Sequence, residues 1–224
     1  MIVDEFTLNA PHGPMKAYLA RLDEKPRPAV IVLEGVYGFD DEIKRITRQT
    51  AGAGFVAIAI DYLRGGDPAS VFKTKDVCDD VAATRDWLNQ QSGVLHGKIA
   101  TWGFGYGGTA AFLSSSLPGL AGAIAFYGQS IARPIPGESR PALDEIDEVR
   151  APLLLVFGGH DEQIGATEIA TIRDRLTAKK AEFQIQEYPE VGHSFFREDL
   201  GTIATRQIAD AWDRVISFLK HSFT

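Results

Sequence analysis

The sequence predicts an α/β fold, a mostly parallel, eight-stranded sheet with helices on both faces. Short apolar runs alternate along the chain with longer segments in which apolar residues recur at helical spacing, which is the pattern of βαβ crossovers. Several runs, residues 29–33 first among them, are apolar at every position, as strands buried on both faces of a sheet are. The chain has 224 residues, 45% of them hydrophobic, so it can bury a large core without disulfides. We therefore expect one domain over residues 1–224.

The strands follow from the apolar runs and the turns between them. The first two runs flank the turn Pro11-His12-Gly13-Pro14 and predict an antiparallel hairpin. The later runs are separated by helical segments, which predicts parallel pairing. The eight predicted strands are residues 3–8, 15–22, 29–33, 55–60, 99–102, 122–126, 153–157 and 182–188.

The helices are predicted from caps and apolar spacing. Asp40, Asp41 and Glu42 place negative charge at the start of the first helix, where the helix dipole favours it, and glycines end it near residue 52. A long irregular segment, residues 129–150, contains three prolines, and we expect it to border a pocket. The remaining predicted helices are residues 76–90, 106–116, 166–178 and a final one whose apolar face is Ile208, Ala211, Trp212, Val215 and Leu219.

Charge and composition limit the partners. Thirty acidic residues against 23 basic ones give a net charge of −7, the wrong sign for binding nucleic acid or an anionic membrane. The first residues are acidic where a signal peptide would be basic, and no apolar run approaches a membrane span. Cys78 is the only cysteine, and we interpret it as a buried helix thiol. We expect a cytoplasmic protein, a monomer or a homodimer.

A glycine-rich turn follows the strand that ends at Trp102. Residues 103–107, GFGYG, match the nucleophile elbow G-x-nucleophile-x-G, in which a sharp strand-to-helix turn presents the central side chain. Gly105 stands where serine or cysteine would carry the attacking atom, which argues against covalent catalysis. The glycine is interpreted either as the residue that best tolerates a strained backbone or as an engineered removal of the nucleophile.

Two further residues follow later strands. Asp161 comes after the run 153–157 and His193 after the run 182–188. Elbow, aspartate, histidine is the chain order of the α/β-hydrolase triad, in which the aspartate orients the base. We predict that Asp161 and His193 lie within hydrogen-bond distance, either as a catalytic pair or as a pair that only holds two loops together.

Other cofactor-dependent sites are not expected. The remaining histidines form no short spacing typical of metal ligands. The glycines near residue 105 lie in mid-chain, without the ribose-binding acid of a dinucleotide site. We predict no metal and no cofactor.

Several motifs in order resemble one family. Residues 10–20 (APHGPMKAYLA), 61–66 (DYLRGG), 126–128 (FYG) and 192–195 (GHSF), together with the elbow, are similar to the dienelactone hydrolases, the carboxymethylenebutenolidase-like branch of the α/β-hydrolase superfamily. This resemblance runs nearly end to end. It implies the α/β-hydrolase fold and the hydrolysis of small lactones or esters.

The resemblance also identifies candidate site residues and one more departure. The backbone amides of Val36 and Tyr106 match the family's oxyanion donors, which do not depend on side chains. The segment in which the family has a glutamate matches residues 34–39, EGVYGF, and this match places the family's glutamate on Gly35. Glu34 is one position early, so its side chain points inward only if the strand bulges. Substrate-binding candidates implied by the family are Glu34, Tyr37, Arg64, Tyr127 and Arg197.

The function is left among three hypotheses. The first is hydrolysis of a small lactone or ester with water activated by His193. The second is a lyase or isomerase that uses the His193–Asp161 pair for proton transfer. The third is a small-molecule-binding protein that keeps the pocket without the chemistry. The two arginines, if they face the pocket, would suit a substrate that bears a carboxylate.

Overall fold

The computed structural model describes residues 1–200 and 204–224, and its strands form one eight-stranded sheet. The strand order is β1-β2-β4-β3-β5-β6-β7-β8, with β1–β2 and β2–β4 antiparallel and every later pair parallel. The predicted mostly parallel, eight-stranded sheet is confirmed. The strands are β1 Ile2–Ala10, β2 Gly13–Arg21, β3 Arg27–Leu33, β4 Val56–Ile60, β5 Val94–Phe104, β6 Gly122–Phe126, β7 Leu153–Gly158 and β8 Phe183–Tyr188.

Helices connect the parallel strands. The chain passes from β3 to β4 in one direction along the sheet and from β4 past β3 to β5 in the other, and right-handed crossovers then place α1 and α3 on opposite faces. Two short helices, α2 and α5, are absent from the sequence prediction. The helices are α1 Asp41–Gly52, α2 Pro68–Val71, α3 Thr74–Asn89, α4 Tyr106–Ser114, α5 Ala142–Glu145, α6 Ala166–Ala178 and α7 Thr205–Ser222, with a 3₁₀ turn at Glu198–Leu200.

Strand β5 is much longer than its apolar run predicts. It continues through Gly103 and Phe104 because both residues still pair with neighbouring strands, Gly103 with Leu33 and Phe104 with Phe126. The glycines therefore do not end the strand. They bring the elbow to the same edge of the sheet as the ends of β3 and β6.

The central strands form the core beneath that edge. Every residue of β4, β6 and β7 is buried. Trp102 is fully buried, and its ring lies 5.5 Å from both Phe126 and Phe196, centroid to centroid. This aromatic cluster supports the strand that leads to the elbow.

The sheet edge at the carboxyl ends of β3 and β5 is the place where the strand order reverses. Ligands of open α/β sheets bind in the crevice at such a switch point. The loops after β3, β5, β6, β7 and β8 all begin at this edge.

Two remaining expectations concern single features. Cys78 is partly buried in α3, and burial raises the pKa of its thiol to about 12. In the part of the chain that the structure describes, no helix has the length and apolar character needed to cross a membrane.

Candidate active site

The predicted elbow is a tight turn between β5 and α4. Gly105 precedes α4 with φ +57° and ψ −118°, a backbone that other residues adopt only under strain. A Cβ on Gly103 would lie 1.8 Å from the Gly107 carbonyl oxygen, so that glycine is required by close packing. An ideal Cβ on Gly105 has nothing within 4 Å. The space for a nucleophilic side chain is therefore present without the side chain.

A small pocket, partly open to solvent, lies at Gly105. It is lined by aliphatic and aromatic side chains on one hand and by polar or charged side chains on the other. The lining residues are Gly35, Val36, Tyr37, Ile43, Ile46, Phe104, Gly105, Tyr106, Tyr127, Gln129, His193, Ser194 and Arg197.

Asp161 and His193 lie together at one side of this pocket. The His193 Nδ1–H donates to Asp161 Oδ2 at 2.8 Å, within the range that the sequence predicts. The other carboxylate oxygen, Oδ1, accepts the backbone N–H groups of Gln163 at 2.8 Å and Ile164 at 3.1 Å. The Asp161 side chain is fully buried. The aspartate is therefore fixed, and it fixes the plane and tautomer of the imidazole.

Gln129 is a site residue that the sequence reasoning missed. Its Nε2 lies 3.2 Å from His193 Nε2 and also donates to Gln163 Oε1. Because His193 Nδ1 carries the proton given to Asp161, Nε2 is the acceptor and Gln129 the donor. Its place in the sequence is a usable signal, since it follows the FYG motif at the end of β6 and thus lies at the same sheet edge.

The two predicted oxyanion amides lie across the pocket from that pair. Both Val36 and Tyr106 line the pocket, and no group in the described residues accepts a hydrogen bond from either N–H. Tyr106 is the first residue of α4, where backbone amides lack partners within the helix. A Cβ on Gly35 would lie 2.5 Å from the Phe104 carbonyl oxygen, so the glycine there lets the β3 loop approach the elbow.

Three tyrosine side chains, Tyr37, Tyr106 and Tyr127, also line the pocket. The ring of Tyr127 lies 5.1 Å from the His193 ring, centroid to centroid, and its hydroxyl is buried with no partner among the described residues. Burial raises the pKa of Tyr127 well above its usual value, so the hydroxyl remains a neutral donor. Tyr37 lies at the exposed rim, and Tyr106 is partly buried.

The model of the dienelactone hydrolase family matches residues 15–223. The chain belongs to this family. A Yersinia pestis protein named "Putative carboxymethylenebutenolidase" is 31% identical over 97% of this chain and 88% of its own length. A Bradyrhizobium protein named "Probable 2-oxo-3-(5-oxofuran-2-ylidene)propanoate lactonase" is 28% identical over 91% of this chain and 88% of its own length. A Klebsiella pneumoniae crystal structure described as "Putative Dienelactone Hydrolase" superposes with a TM-score of 0.87 at 26% identity, covering 98% of both chains.

As a dienelactone hydrolase family member, the chain departs from expectation at Arg64. This residue does not line the pocket. It adopts a left-handed backbone, φ +54°, in the turn after β4, and its guanidinium donates to Asp80 at 2.7 and 3.0 Å. Asp80, buried on α3, thus holds the Arg64 guanidinium outside the pocket lining, and the substrate contact that the family resemblance implies stays a prediction.

Glu34 is also turned away from the pocket. It is 1% exposed and is absent from the lining. Neither carboxyl oxygen has a hydrogen-bond donor among the described residues, and burial together with neighbouring Asp61 raises the pKa of Glu34 to about 9. Glu34 follows the last residue of β3, and its role in substrate binding stays a prediction.

Arg197 reaches the pocket but does so as part of a charge cluster. Its guanidinium donates to Asp40 at 2.6 Å and to both oxygens of Asp199 at 2.6 and 3.0 Å. It lies 4.2 Å from the centroid of the Tyr37 ring.

In the described residues, no three His, Cys, Asp or Glu side chains gather as metal ligands would.

Proposed function

We propose that this dienelactone hydrolase family member hydrolyses small lactones or esters by direct attack of water, with His193 as the general base. The observation that carries the proposal is the His193–Asp161 hydrogen bond of 2.8 Å beside a pocket that is open above Gly105. The base is oriented, the amides for an oxyanion are present, and the nucleophile's place is empty. Water is small enough to take that place.

The reaction proceeds in two steps. His193 Nε2 removes a proton as the water oxygen bonds to the substrate carbonyl carbon, and the carbonyl oxygen becomes an oxyanion held by the Val36 and Tyr106 amides. The carbon–oxygen bond to the leaving group then breaks, and the imidazolium returns its proton to the departing oxygen. The products are a carboxylic acid and an alcohol, which remain one molecule when the substrate is a lactone. No cofactor takes part.

Gln129 has a defined part in this scheme. Its amide donates to the same His193 nitrogen that must accept the proton from water, so it makes the hydrogen bond that a serine or cysteine at residue 105 would make. Water reaches the base once this bond is broken. Gln129 thus covers the Nε2 lone pair between turnovers and competes with water for it.

The test is a panel of small lactones and para-nitrophenyl esters, assayed with the parent chain and with His193→Ala. We expect turnover above background that His193→Ala removes. Ser194→Ala is the matched control, because Ser194 is the one aliphatic hydroxyl among the described lining residues and follows His193 directly. We expect that variant to keep the activity.

Other outcomes would contradict the proposal. Loss of turnover in Ser194→Ala with a covalent acyl adduct on the parent would establish a side-chain nucleophile. Binding of the esters without hydrolysis would favour the binding protein, and proton exchange at the α-carbon without ester cleavage would favour the lyase or isomerase.

A further inference from the structure

The charge around the pocket bears on the substrate class, and the argument rests on the proposed hydrolysis. Arg64 is the first of the two arginines considered for a carboxylate. Asp80, whose side chain is 1% exposed, accepts two hydrogen bonds from it, and the Tyr62 and Gly13 carbonyls accept others at 2.8 and 3.2 Å. Removing Arg64 from this pair would leave a buried, uncompensated Asp80. Arg64 is therefore committed to the fold.

Arg197 is the one cationic side chain among the described lining residues, and its charge is already balanced. Asp40 and Asp199 both accept from its guanidinium, so the three side chains together carry one net negative charge. The Arg197 ion pairs hold the pKa of Asp199 below its usual range, so that carboxylate stays charged at neutral pH. A substrate carboxylate near Arg197 would be repelled by the two carboxylates that already bind this guanidinium.

The other lining groups suit an uncharged molecule. Ile43, Ile46 and Phe104 give apolar walls. The buried Tyr127 hydroxyl, which lacks a partner in the described residues, offers a neutral hydrogen-bond donor. A buried hydroxyl without a partner is costly, so an acceptor oxygen on a ligand would relieve it.

We propose that the pocket selects uncharged, apolar lactones or esters and discriminates against those that bear a carboxylate. Asp40 is the residue that sets this selectivity, because it neutralises Arg197 at the pocket. The charge of Asp40 can be removed while its hydrogen bond at the start of α1 is kept. Asp40 also caps α1, accepting from the Ile43 N–H at 2.9 Å, and asparagine caps a helix as well as aspartate does.

The experiment compares para-nitrophenyl hexanoate with the para-nitrophenyl monoester of adipic acid, which carries a terminal carboxylate on an acyl chain of the same length. We expect the parent to favour the hexanoate by about 100-fold in kcat/KM. Asp40→Asn should narrow this ratio by about 10-fold, through faster hydrolysis of the adipate ester. Asp41→Asn is the matched control, since it removes the same charge from the next residue, which is exposed and forms no pair with Arg197; its ratio should equal the parent's.

A parent that hydrolyses both esters equally, or favours the adipate ester, overturns the proposal, as does an Asp40→Asn ratio equal to that of Asp41→Asn. Calorimetric binding of the corresponding para-nitroanilides, which resist hydrolysis, keeps this test separate from the proposed chemistry. If neither ester is cleaved, the proposed hydrolysis fails. The selectivity would still be supported if the parent binds the hexanoic anilide more tightly than the adipic one and if Asp40→Asn reduces that difference in affinity. Equal affinities of the parent for the two anilides would overturn it.

Discussion

The two sides of the pocket are built in different ways. The base side, at the ends of β6, β7 and β8, consists of hydrogen-bonded side chains, Gln129, Asp161, Gln163 and His193. The elbow side, at the ends of β3 and β5, consists of backbone, with the Val36 and Tyr106 amides around Gly105. The elbow side therefore depends on close glycine packing, and no side chain at residue 105 is needed to hold it.

The largest expected effect comes from returning a side chain to the elbow side. Gly105→Ser should raise hydrolysis of an activated ester by about 1000-fold, since a covalent route then joins an oriented base and an existing oxyanion site. Nothing lies within 4 Å of the new Cβ, although the positive φ carries a strain of about 1–2 kcal/mol. Burst kinetics and an acyl adduct seen by intact-protein mass spectrometry are the measurements.

Gly105→Ala is the control for that gain, because it adds the same Cβ and strain without a hydroxyl. We expect no gain from it, and we expect His193→Ala to cancel the gain of Gly105→Ser. A Gly105→Ser variant that is folded and no faster than Gly105→Ala would show that the elbow side is no longer competent.

The next effect concerns the base side. Asp161→Asn should lower the turnover of the parent by about 100-fold. The asparagine oxygen would keep the two backbone N–H groups that Asp161 Oδ1 accepts, so its amide N–H would face His193 Nδ1, donate to it and favour the wrong tautomer. Thermal unfolding is measured in parallel. A fall in melting temperature with unchanged turnover per folded molecule would mean that the pair only holds two loops together.

A smaller effect tests the contact between the two sides. In the Gly105→Ser background, the serine hydroxyl and the Gln129 amide compete for His193 Nε2, which Gln129 contacts at 3.2 Å. Adding Gln129→Ala should raise kcat by up to about 10-fold, the worth of one neutral hydrogen bond. Gln163→Ala, which leaves the Gln129–His193 contact in place, should change kcat less. A fall in kcat on adding Gln129→Ala would mean that the amide is needed to hold the imidazole.

The sequence predicts the fold better than it predicts the charges of the site. Apolar runs and glycine packing are local, so the strands and the elbow turn at Gly105 follow from them. Asp199 lies two residues from Arg197, but Asp80 follows Arg64 by 16 residues and Asp40 is separated from Arg197 by most of the chain, so no local pattern joins these pairs. Family resemblance placed both arginines at the substrate, and only the three-dimensional arrangement shows which carboxylates bind them. Gln129 was missed because its signal is its place directly after the FYG motif, and a glutamine is not a residue type that the motifs of the family single out.

The smallest expected effect on activity comes from Glu34. This buried residue belongs to the elbow side, because it lies in the loop after β3 that also contains Val36. Its carboxyl has a pKa of about 9 in the folded chain against an ordinary value of 4.5, because burial and Asp61 oppose the charge. The folded state thus holds this proton more tightly than the unfolded state. Its contribution to stability is complete below about pH 4.5 and is lost as the pH rises towards 9, with a slope of up to about 1.4 kcal/mol per pH unit.

Glutamine at this position cannot ionise, so the cost of a buried charge beside Asp61 is absent at every pH. We therefore expect Glu34→Gln to leave turnover within about 2-fold of the parent and to flatten the decline in the free energy of unfolding between pH 5 and about 9, measured by urea denaturation. Above neutral pH the variant should be the more stable protein. The exposed Glu162→Gln is the control and should follow the parent's curve. Coincident curves for the parent and Glu34→Gln would mean that Glu34 has the same pKa in the folded and unfolded chain. Glu34 would then be ionised in the folded protein at neutral pH, beside Asp61.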